Sequence, residues 1–332
     1  MHRGLFALLC LALAPLSVAQ TEGEDPSAEI ATKPPTPAEL GYREALILGI
    51  VEGITEYLPI SSTGHLLLTN QLLGLNSDLP VTDPSGVIVL DREGEPYSLK
   101  RAADAYAIII QAGAILAVIV LYWRRLRSVL AGLLGRDPRG LRLGINLLVA
   151  FLPAAVLGLL FNDWIEELLF GPLPIAIALA AGGVLMWAVE RWRRRTQTPV
   201  LGEGVDLPEM ALSQCLMIGL LQCVAMWPGT SRSMMTIVGG YLVGLSPRRA
   251  AEFSFLLGLI TLSAAASYKT VKDGREMLQV LELGPVLFGT LVAFIAAALA
   301  IKWLIAFLSR HGLGLFAGYR LILALLVVIF MV

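Results

Sequence analysis

Long apolar blocks constrain this chain more than any other feature. The blocks run for about 18 to 20 residues, which is the length of a helix that crosses the hydrocarbon core of a bilayer. Composition agrees, because 56% of the residues are hydrophobic, 15% are charged and the mean hydropathy is +0.74. A soluble domain carries about 25% charged residues. The sequence therefore predicts an all-α polytopic membrane protein.

Charges and cysteines exclude two classes of function. The arginines stand in short loops rather than among aromatic residues, so no nucleic-acid binding is expected. Cys215 and Cys223 lie in apolar sequence with no histidine at metal-ligand spacing. We expect both cysteines to pack as small apolar residues.

The segment 1–19 has the pattern of a secretory signal peptide. A weakly basic start precedes a short apolar run, and small residues, Ser17 and Ala19, occupy the cleavage positions. Cleavage would leave residues 20–38 as an exported tail whose polar composition predicts disorder. The alternative is an uncleaved anchor. In either case the membrane domain begins outside the cytoplasm.

Hydropathy divides the rest of the chain into two membrane units joined by a cytoplasmic linker. Each unit is predicted to hold three spans after a re-entrant hairpin, which is a pair of short helices that enters and leaves the membrane on one side. The predicted bounds are 39–190 for the first unit, with hairpin 39–75 and exported loop 76–104; 191–209 for the linker; and 210–332 for the second unit, with hairpin 210–245. The spans are predicted near 105–122, 144–161, 173–190, 251–268, 284–302 and 314–332.

Loop charge orients these units. The predicted cytoplasmic loops hold thirteen Lys or Arg residues and the exported loops hold six. Basic residues are enriched on the cytoplasmic side of membrane proteins. We therefore expect the first hairpin and both mature termini outside, and the second hairpin on the inner side.

The two broken segments match each other without a gap, at one constant offset along the chain. The matched pairs are Gly49 with Gly219, Glu52 with Gln222, Tyr57 with Trp227, Ser61 with Ser231, and Thr63 with Ser233. Because each unit has an odd number of spans, the second must lie upside down relative to the first. The sequence thus predicts an inverted repeat, a design whose binding sites lie where the broken helices meet.

Two carboxylates mark the first hairpin. Glu52 and Glu56 stand four residues apart and share one helix face. Carboxylates at membrane depth are costly and usually functional. We expect them to hold a divalent cation, Mg²⁺ or Ca²⁺; the alternative is that they are solvated in an aqueous vestibule. Gly49 and Gly53 have the spacing that lets another helix approach closely.

Hydroxyl groups and a histidine follow the break in the first hairpin. Ser61, Ser62 and Thr63 precede a second short helix, whose N-terminus suits a phosphate. His65 comes next and is a candidate general acid, base or nucleophile. A histidine with satisfied structural hydrogen bonds is the alternative.

An arginine marks the second hairpin. Arg232 follows a Pro-Gly break between Ser231 and Ser233, and its planar guanidinium matches phosphate oxygens. The second unit lacks the acids, because Gln222 and Met226 replace them. Together the two hairpins would complement a metal-bound pyrophosphate. The alternative is that Arg232 only anchors the hairpin at the cytoplasmic surface.

Three further polar residues are weaker candidates. Gln111 is a single amide in an apolar span, and contact with a headgroup or with another helix remains open. Glu252 and Ser254 open a later helix, where capping is expected rather than catalysis.

The motifs EGITEYLPISSTGH and WPGTSRS closely resemble those of the undecaprenyl-pyrophosphate phosphatase family, also called the bacitracin-resistance (BacA/UppP) family. The resemblance runs from about residue 38 to the C-terminus and implies an inverted-repeat fold with its active site open to the outer face. It implies catalytic roles for Glu56, Ser62, His65 and Arg232, with Glu52 assisting. Three residues match the second motif of the family and are expected, with Arg232 and the hydroxyls of the first motif, to bind the substrate phosphate: Ser231, Ser233 and Thr236.

The expected reaction is hydrolysis of undecaprenyl pyrophosphate to undecaprenyl phosphate and inorganic phosphate in the bacterial plasma membrane. It would recycle the lipid carrier for cell-wall synthesis and confer bacitracin resistance. The nucleophile is left open among Ser62, His65 and water. The alternative function is a flippase or transporter for the same lipid, and a homodimer is left open.

Overall fold

The computed structural model describes residues 40–83, 86–91, 94–196 and 204–332. The predicted signal peptide and exported tail lie outside these ranges. Eleven α-helices make up most of the described chain: α1 Tyr42–Thr55, α2 Ser62–Leu72, α3 Leu99–Leu121, α4 Trp123–Leu133, α5 Pro138–Leu169, α6 Pro172–Thr196, α7 Leu212–Val224, α8 Arg232–Leu242, α9 Pro247–Val280, α10 Leu283–His311 and α11 Gly314–Met331.

Six of these helices are long and apolar enough to cross a membrane, namely α3, α5, α6, α9, α10 and α11. Each covers one predicted span to within a residue, so the six predicted spans are helices of sufficient length and hydropathy to cross a membrane. The protein is an all-α polytopic membrane protein, as its composition predicts.

Several helices continue through segments that the sequence suggests are loops. Helix α5 runs to Leu169, α9 to Val280 and α10 to His311. Helix α3 begins at Leu99, so the predicted loop at 76–104 is wrong at its C-terminal end. Hydropathy detects only the apolar part of a helix. The backbone N–H and C=O groups, by contrast, form hydrogen bonds with one another along the whole helix.

The segment before α3 is folded rather than irregular. Three antiparallel bridges pair Pro80 with Ser98, Thr82 with Ile88, and Leu90 with Pro96. Val81, Val89 and Tyr97 are buried and pack in one cluster with Leu48 of α1 and Tyr106 of α3. This segment therefore packs against α3 and against α1, the helix that carries the predicted acids.

Two pairs of short helices flank the breaks. Helices α1 and α2 hold 14 and 11 residues, and α7 and α8 hold 13 and 11. At 1.5 Å per residue the longest spans about 21 Å, which is less than the roughly 30 Å of a hydrocarbon core. The corresponding helices of the two pairs start at the same separation along the chain as the residues matched in the sequence. Tyr42 corresponds to Leu212, and Ser62 corresponds to Arg232.

The breaks in the two pairs have the same backbone geometry. Ser61 has φ 72° and ψ 103°, and Ser231 has φ 74° and ψ 114°. Each serine hydroxyl caps the next helix at 3.3 Å, accepting from the N–H of Gly64 or Met234. A non-glycine residue with positive φ costs about 1–3 kcal/mol and marks functional turns. Both helix pairs are therefore held in the same strained turn.

Small residues bring α10 close to α1 and α3. A Cβ on Gly49 would lie 2.7 Å from the Gly289 carbonyl oxygen, and one on Gly53 would contact the Ala293 carbonyl. The expected close approach of another helix at Gly49 and Gly53 is confirmed. This packing fixes the face of α1 that carries the acids.

Candidate active site

The two helix pairs meet at an ion pair between Arg232 and Glu56. The Arg232 Nη2 atom lies 2.8 Å from Glu56 Oε1, and both side chains are buried, at 10% and 6% exposure. Arg232 Nη1 also donates to the Ser254 carbonyl oxygen at 3.0 Å. Its guanidinium stands over the Tyr57 ring, 5.4 Å from the ring centre. The prediction that Arg232 meets the first hairpin is confirmed.

Ser62 shares the same carboxylate. Its hydroxyl donates to Glu56 Oε2 at 2.8 Å, while Arg232 binds the other oxygen. Ser62 is the first residue of α2, directly after the strained turn at Ser61. The turn therefore aims a serine hydroxyl at a carboxylate that an arginine holds in place.

Helix α3 contributes Gln111 to this group. Its Nε2 donates to Glu52 Oε1 at 3.1 Å and to Glu56 Oε2 at 3.4 Å. The contact left open by the sequence is thus with another helix. Glu52 Oε2 is buried and has no hydrogen-bond partner among the described residues. A buried carboxylate oxygen left without a donor is positioned to accept a ligand.

The acids fit a cation that takes further oxygens from a phosphate. No group of three or more His, Cys, Asp or Glu side chains able to hold a metal occurs in the described part of the chain. A closed cage of protein ligands is therefore not formed there. Mg²⁺ is commonly bound by one or two carboxylates together with substrate phosphates, and Glu52 with Glu56 matches that pattern.

His65 makes its side-chain hydrogen bonds outside this carboxylate group. Its Nδ1 lies 2.7 Å from the Ser61 carbonyl oxygen, so Nδ1 carries a proton and donates. Its Nε2 lies 2.7 Å from the Tyr319 hydroxyl, and the two rings stack 5.6 Å apart. His65 is 3% exposed. Both ring nitrogens are therefore occupied in this arrangement.

Next to Tyr319, Arg320 holds the second break. It is fully buried, and its Nη2 donates to the carbonyl oxygens of Gly229 at 2.8 Å and Ala178 at 3.1 Å. Its Nε donates to the Leu179 carbonyl at 3.2 Å. Sequence reasoning missed both residues, although an arginine within an 18-residue apolar helix is a signal of a polar role.

The hydroxyls of the second motif are engaged inside the protein. Ser233 Oγ donates to the Leu58 carbonyl at 2.7 Å, which joins the two helix pairs a second time. Thr236 Oγ1 lies 2.7 Å from Ser254 Oγ, and Ser231 Oγ lies 3.1 Å from Ser233 Oγ. These bonds fix the backbone around Arg232.

The expected capping role of Glu252 and Ser254 is wrong. Ser246 caps α9 by accepting from the Arg249 N–H at 3.3 Å. Glu252 lies one turn further on and instead pairs with Arg125 at 2.9 Å and Arg249 at 2.7 Å. The helix begins earlier than the apolar run because Ser246-Pro247 is the stronger start signal.

A cleft of about 690 Å³ opens beside the carboxylates. Glu52, Ser62 and Gln111 line its inner end. Basic residues outnumber acidic ones in the rest of its lining, which also has an apolar part. The basic residues are Lys100, Arg101, Lys269 and Lys272, the acidic one is Asp104, and the apolar part includes Leu66, Leu67, Ile108 and Ile175. Basic residues at a cleft attract anions. The cleft, which we call the acid cleft, thus suits an anionic headgroup with an apolar tail.

Fold and site together define a polytopic membrane protein in which carboxylate, hydroxyl and guanidinium groups meet at two helix breaks. The chain belongs to the family described as bacitracin resistance protein BacA, which matches residues 45–326.

Curated relatives agree over most of the chain. A protein of Sorangium cellulosum is 44% identical over 285 residues, covering 86% of this chain and 84% of the relative. Relatives from Nitrosomonas europaea and Clostridium tetani are 43% and 38% identical and cover 86% of this chain, with 93% and 95% of their own lengths aligned. All three are named undecaprenyl-diphosphatase.

Proposed function

We propose that this protein hydrolyses undecaprenyl pyrophosphate to undecaprenyl phosphate and inorganic phosphate. The observation that carries the proposal is the Glu56 carboxylate, bound by Ser62 on one oxygen and Arg232 on the other. The names of the curated relatives support the same substrate. Recycling of the lipid carrier and bacitracin resistance follow from the family.

In the proposed reaction Ser62 Oγ attacks the terminal phosphorus as its proton passes to Glu56. The bond between that phosphorus and the bridging oxygen breaks, and undecaprenyl phosphate leaves. Arg232 takes the charge that builds on the transferred phosphoryl oxygens. Water then cleaves the phosphoserine and releases inorganic phosphate, which restores the Ser62 hydroxyl.

Ser62 is a better nucleophile candidate than His65. Ser62 lines the acid cleft and donates to a carboxylate, which is the arrangement of an activated hydroxyl. His65 is buried, and its Nε2 is bound to Tyr319. Direct attack by water remains the second route, and Glu56 would then be the base.

Glu52 and Glu56 are the residues that would hold a divalent cation, Mg²⁺ or Ca²⁺. Bound there, the cation would neutralise negative charge on the pyrophosphate. The partnerless Glu52 oxygen supports this assignment. Ser61, Thr63 and the start of α2 would contact phosphate oxygens.

We also propose that the two units form an inverted repeat of re-entrant hairpins. The constant offset between the two helix pairs and the matched turns at Ser61 and Ser231 support it. With thirteen basic residues on the predicted inner loops against six outside, the acid cleft would open to the outer face of the bacterial plasma membrane. Both mature termini would then lie outside.

Phosphate release by the purified protein tests the function. With undecaprenyl pyrophosphate in detergent micelles and Mg²⁺ present, wild type should release inorganic phosphate, whereas Glu56→Gln should lose at least about 100-fold in turnover, as expected for a group this close to the reaction. Glu44→Gln on the same helix is the control and should keep wild-type turnover.

A flippase is the alternative, and it would transport lipid without releasing phosphate. Absence of release by the monodisperse wild-type protein would reject the phosphatase. Activity of Glu56→Gln within about threefold of wild type would reject the carboxylate's role, since it falls far short of the roughly 100-fold loss expected.

A further inference from the structure

The side-chain amide of Gln111 lies between the two acids of the acid cleft. Its Nε2 donates to Glu52 Oε1 at 3.1 Å and to Glu56 Oε2 at 3.4 Å. These oxygens belong to two different carboxylates, so a single nitrogen atom bridges them. A position between two negatively charged oxygens is also the place where a divalent cation shared by both acids would bind.

The other two carboxylate oxygens do not form a second bridge of this kind. Glu56 Oε1 accepts from Arg232 Nη2 at 2.8 Å, and the guanidinium opposes a further positive charge beside it. Glu52 Oε2 is buried and has no partner among the described residues, but it reaches only one of the two acids. A cation held by both carboxylates must therefore take the place of the Gln111 NH2 group.

An amide can exchange its donor for an acceptor without any movement of the backbone. The NH2 group and the carbonyl oxygen share one carbon atom, and rotation about the last side-chain bond, which is a soft torsion, exchanges their positions. Gln111 Oε1 forms no hydrogen bond with any residue that the structure describes. The rotation therefore breaks only the two bonds to the acids, which the cation itself replaces.

Close helix packing fixes the backbone of Gln111 relative to both acids. A Cβ on Gly113 would contact the Thr290 carbonyl oxygen, and one on Gly53 would contact the Ala293 carbonyl oxygen. Thr290 and Ala293 lie on one turn of α10, so α3 and α1 rest against the same turn. A ligand held on rigid, tightly packed helices is already in place before the ion binds.

We propose that Gln111 is a third protein ligand of the divalent cation, and that its amide turns from donor to acceptor when the cation binds. The proposal rests on Glu52 and Glu56 as the residues that hold the cation. No group of three acids, histidines or cysteines forms in the described part of the chain, so an amide oxygen is the protein ligand that can add to the pair. Amide and carboxylate oxygens are ligands that hard divalent cations prefer.

Manganese binding in the absence of substrate tests this role. The full-length protein is purified in a zwitterionic detergent, and free Mn²⁺ is measured by electron paramagnetic resonance during a titration. Mn²⁺ takes the same carboxylate and carbonyl oxygens as Mg²⁺, and excess Mg²⁺ should displace it.

Three variants separate the amide oxygen from the amide N–H groups. Gln111→Met keeps an unbranched side chain of similar length but has no oxygen, whereas Gln111→Glu keeps an oxygen ligand and has no N–H group. Asn76→Leu is the control, because Asn76 is an exposed amide in the lining of the same cleft whose Nδ2 donates to Gln71. If Gln111→Met is not monodisperse, Gln111→Ala takes its place.

Gln111→Met should bind Mn²⁺ at least about tenfold more weakly than wild type, since even a group that only supports a metal ligand contributes about 10–100-fold to affinity. Gln111→Glu should bind at least as tightly as wild type, because its carboxylate supplies both an oxygen and a charge. The control should stay within about threefold of wild type, well below the smallest loss expected at a metal site.

Three results would overturn the proposal. Wild-type or tighter Mn²⁺ binding by Gln111→Met would show that the amide only competes with the cation. Equal losses in Gln111→Met and Gln111→Glu would show that the N–H groups, rather than an oxygen, are required. A wild-type protein that binds no Mn²⁺ would show that the acids with Gln111 do not form a cation site.

Phosphate release is measured separately and keeps this inference distinct from the proposed function. A wild-type protein that releases phosphate, together with normal Mn²⁺ binding by Gln111→Met, would reject the Gln111 ligand and retain the phosphatase. A wild-type protein that binds Mn²⁺ through Gln111 but releases no phosphate would reject the phosphatase and support the ligand.

Discussion

The guanidinium of Arg232 donates a 2.8 Å hydrogen bond to the carboxylate of Glu56, which lies 176 residues earlier in the chain. Each helix pair thus supplies one half of a buried ion pair. Removing either partner would leave an uncompensated charge, which costs about 3–5 kcal/mol in a buried setting. The ion pair therefore has two roles: it joins the two units in the fold, and both of its residues take part in the proposed reaction.

Replacing Arg232 by lysine should reduce turnover strongly. Lysine keeps the charge but loses the planar fork that binds both Glu56 and the Ser254 carbonyl. We expect kcat to fall roughly 100-fold, or about 3 kcal/mol, if the fork stabilises charge in the transition state. KM should change little. The exposed Arg142→Lys is the control, and a kcat near wild type in Arg232→Lys would refute the role.

Phosphoryl transfer to Ser62 should be observable directly. With substrate labelled in its terminal phosphate and rapid acid quenching, label should appear on the peptide that carries Ser62. Ser62→Ala should show none, and Ser309→Ala, an exposed serine on α10, should label as wild type does. Label on His65, or turnover of Ser62→Ala without any label, would instead favour the histidine or direct attack by water.

Tyr319 should act as a positioning residue through His65. Tyr319→Phe removes the hydroxyl that lies 2.7 Å from His65 Nε2 and keeps the stacked ring. Loss of a buried hydrogen bond costs about 1–1.5 kcal/mol. Because His65 also binds the Ser61 carbonyl in the turn before Ser62, this loss should loosen that turn and lower kcat by up to about tenfold. The freed nitrogen should also shift the pH profile of kcat, which a packing defect would not do. Tyr268→Phe, an exposed position on α9, is the control.

The termini and the α10–α11 corner should lie on opposite sides of the membrane. Val332 and Ser309 are both exposed. Val332 follows the end of α11, and Ser309 lies in the last turn of α10, close to the start of α11. In intact cells an impermeant thiol reagent should label Val332→Cys but not Ser309→Cys, while both should react after permeabilisation. The reverse pattern would invert the proposed orientation. A cysteine at Ser27 would extend the test to the predicted tail, which lies outside the described residues.

Local patterns predicted the spans, the two breaks and the acids, because each rests on a few neighbouring residues. The contact between Glu56 and Arg232 was also predictable, since a buried arginine needs an anion. The partners of Gln111 and His65 were not. They come from α1 and α11, and only the packing of whole helices selects which side chains meet.

Arg320 provides the last prediction, because its surroundings are unusual for a buried arginine. It forms no ion pair with any residue that the structure describes. Its Nε and Nη2 donate to the carbonyl oxygens of Gly229, Leu179 and Ala178, while Nη1 is buried and has no hydrogen-bond partner among the described residues. Gly229 has φ 92° at the second break, so its carbonyl lies outside regular helix. Gly182 leaves room for the guanidinium, which a Cβ there would contact. Arg320 thus fastens the second break to α6.

Replacement by methionine tests the hydrogen bonds of Arg320 separately from its packing. Arg320→Met keeps an apolar stem of similar length but leaves the Gly229 carbonyl without the donor it has from Arg320, at a cost of about 1–3 kcal/mol. The Ala178 and Leu179 carbonyls lie within α6 and keep their backbone donors. Removing a charge that has no acid partner offsets part of that cost. We expect a net loss of about 1–2 kcal/mol in unfolding free energy, together with a lower kcat as the turn before Arg232 loosens. Thermal unfolding and turnover in detergent measure both, with exposed Arg195→Met as the control. A variant with wild-type stability and kcat would show that the second break holds its shape without Arg320.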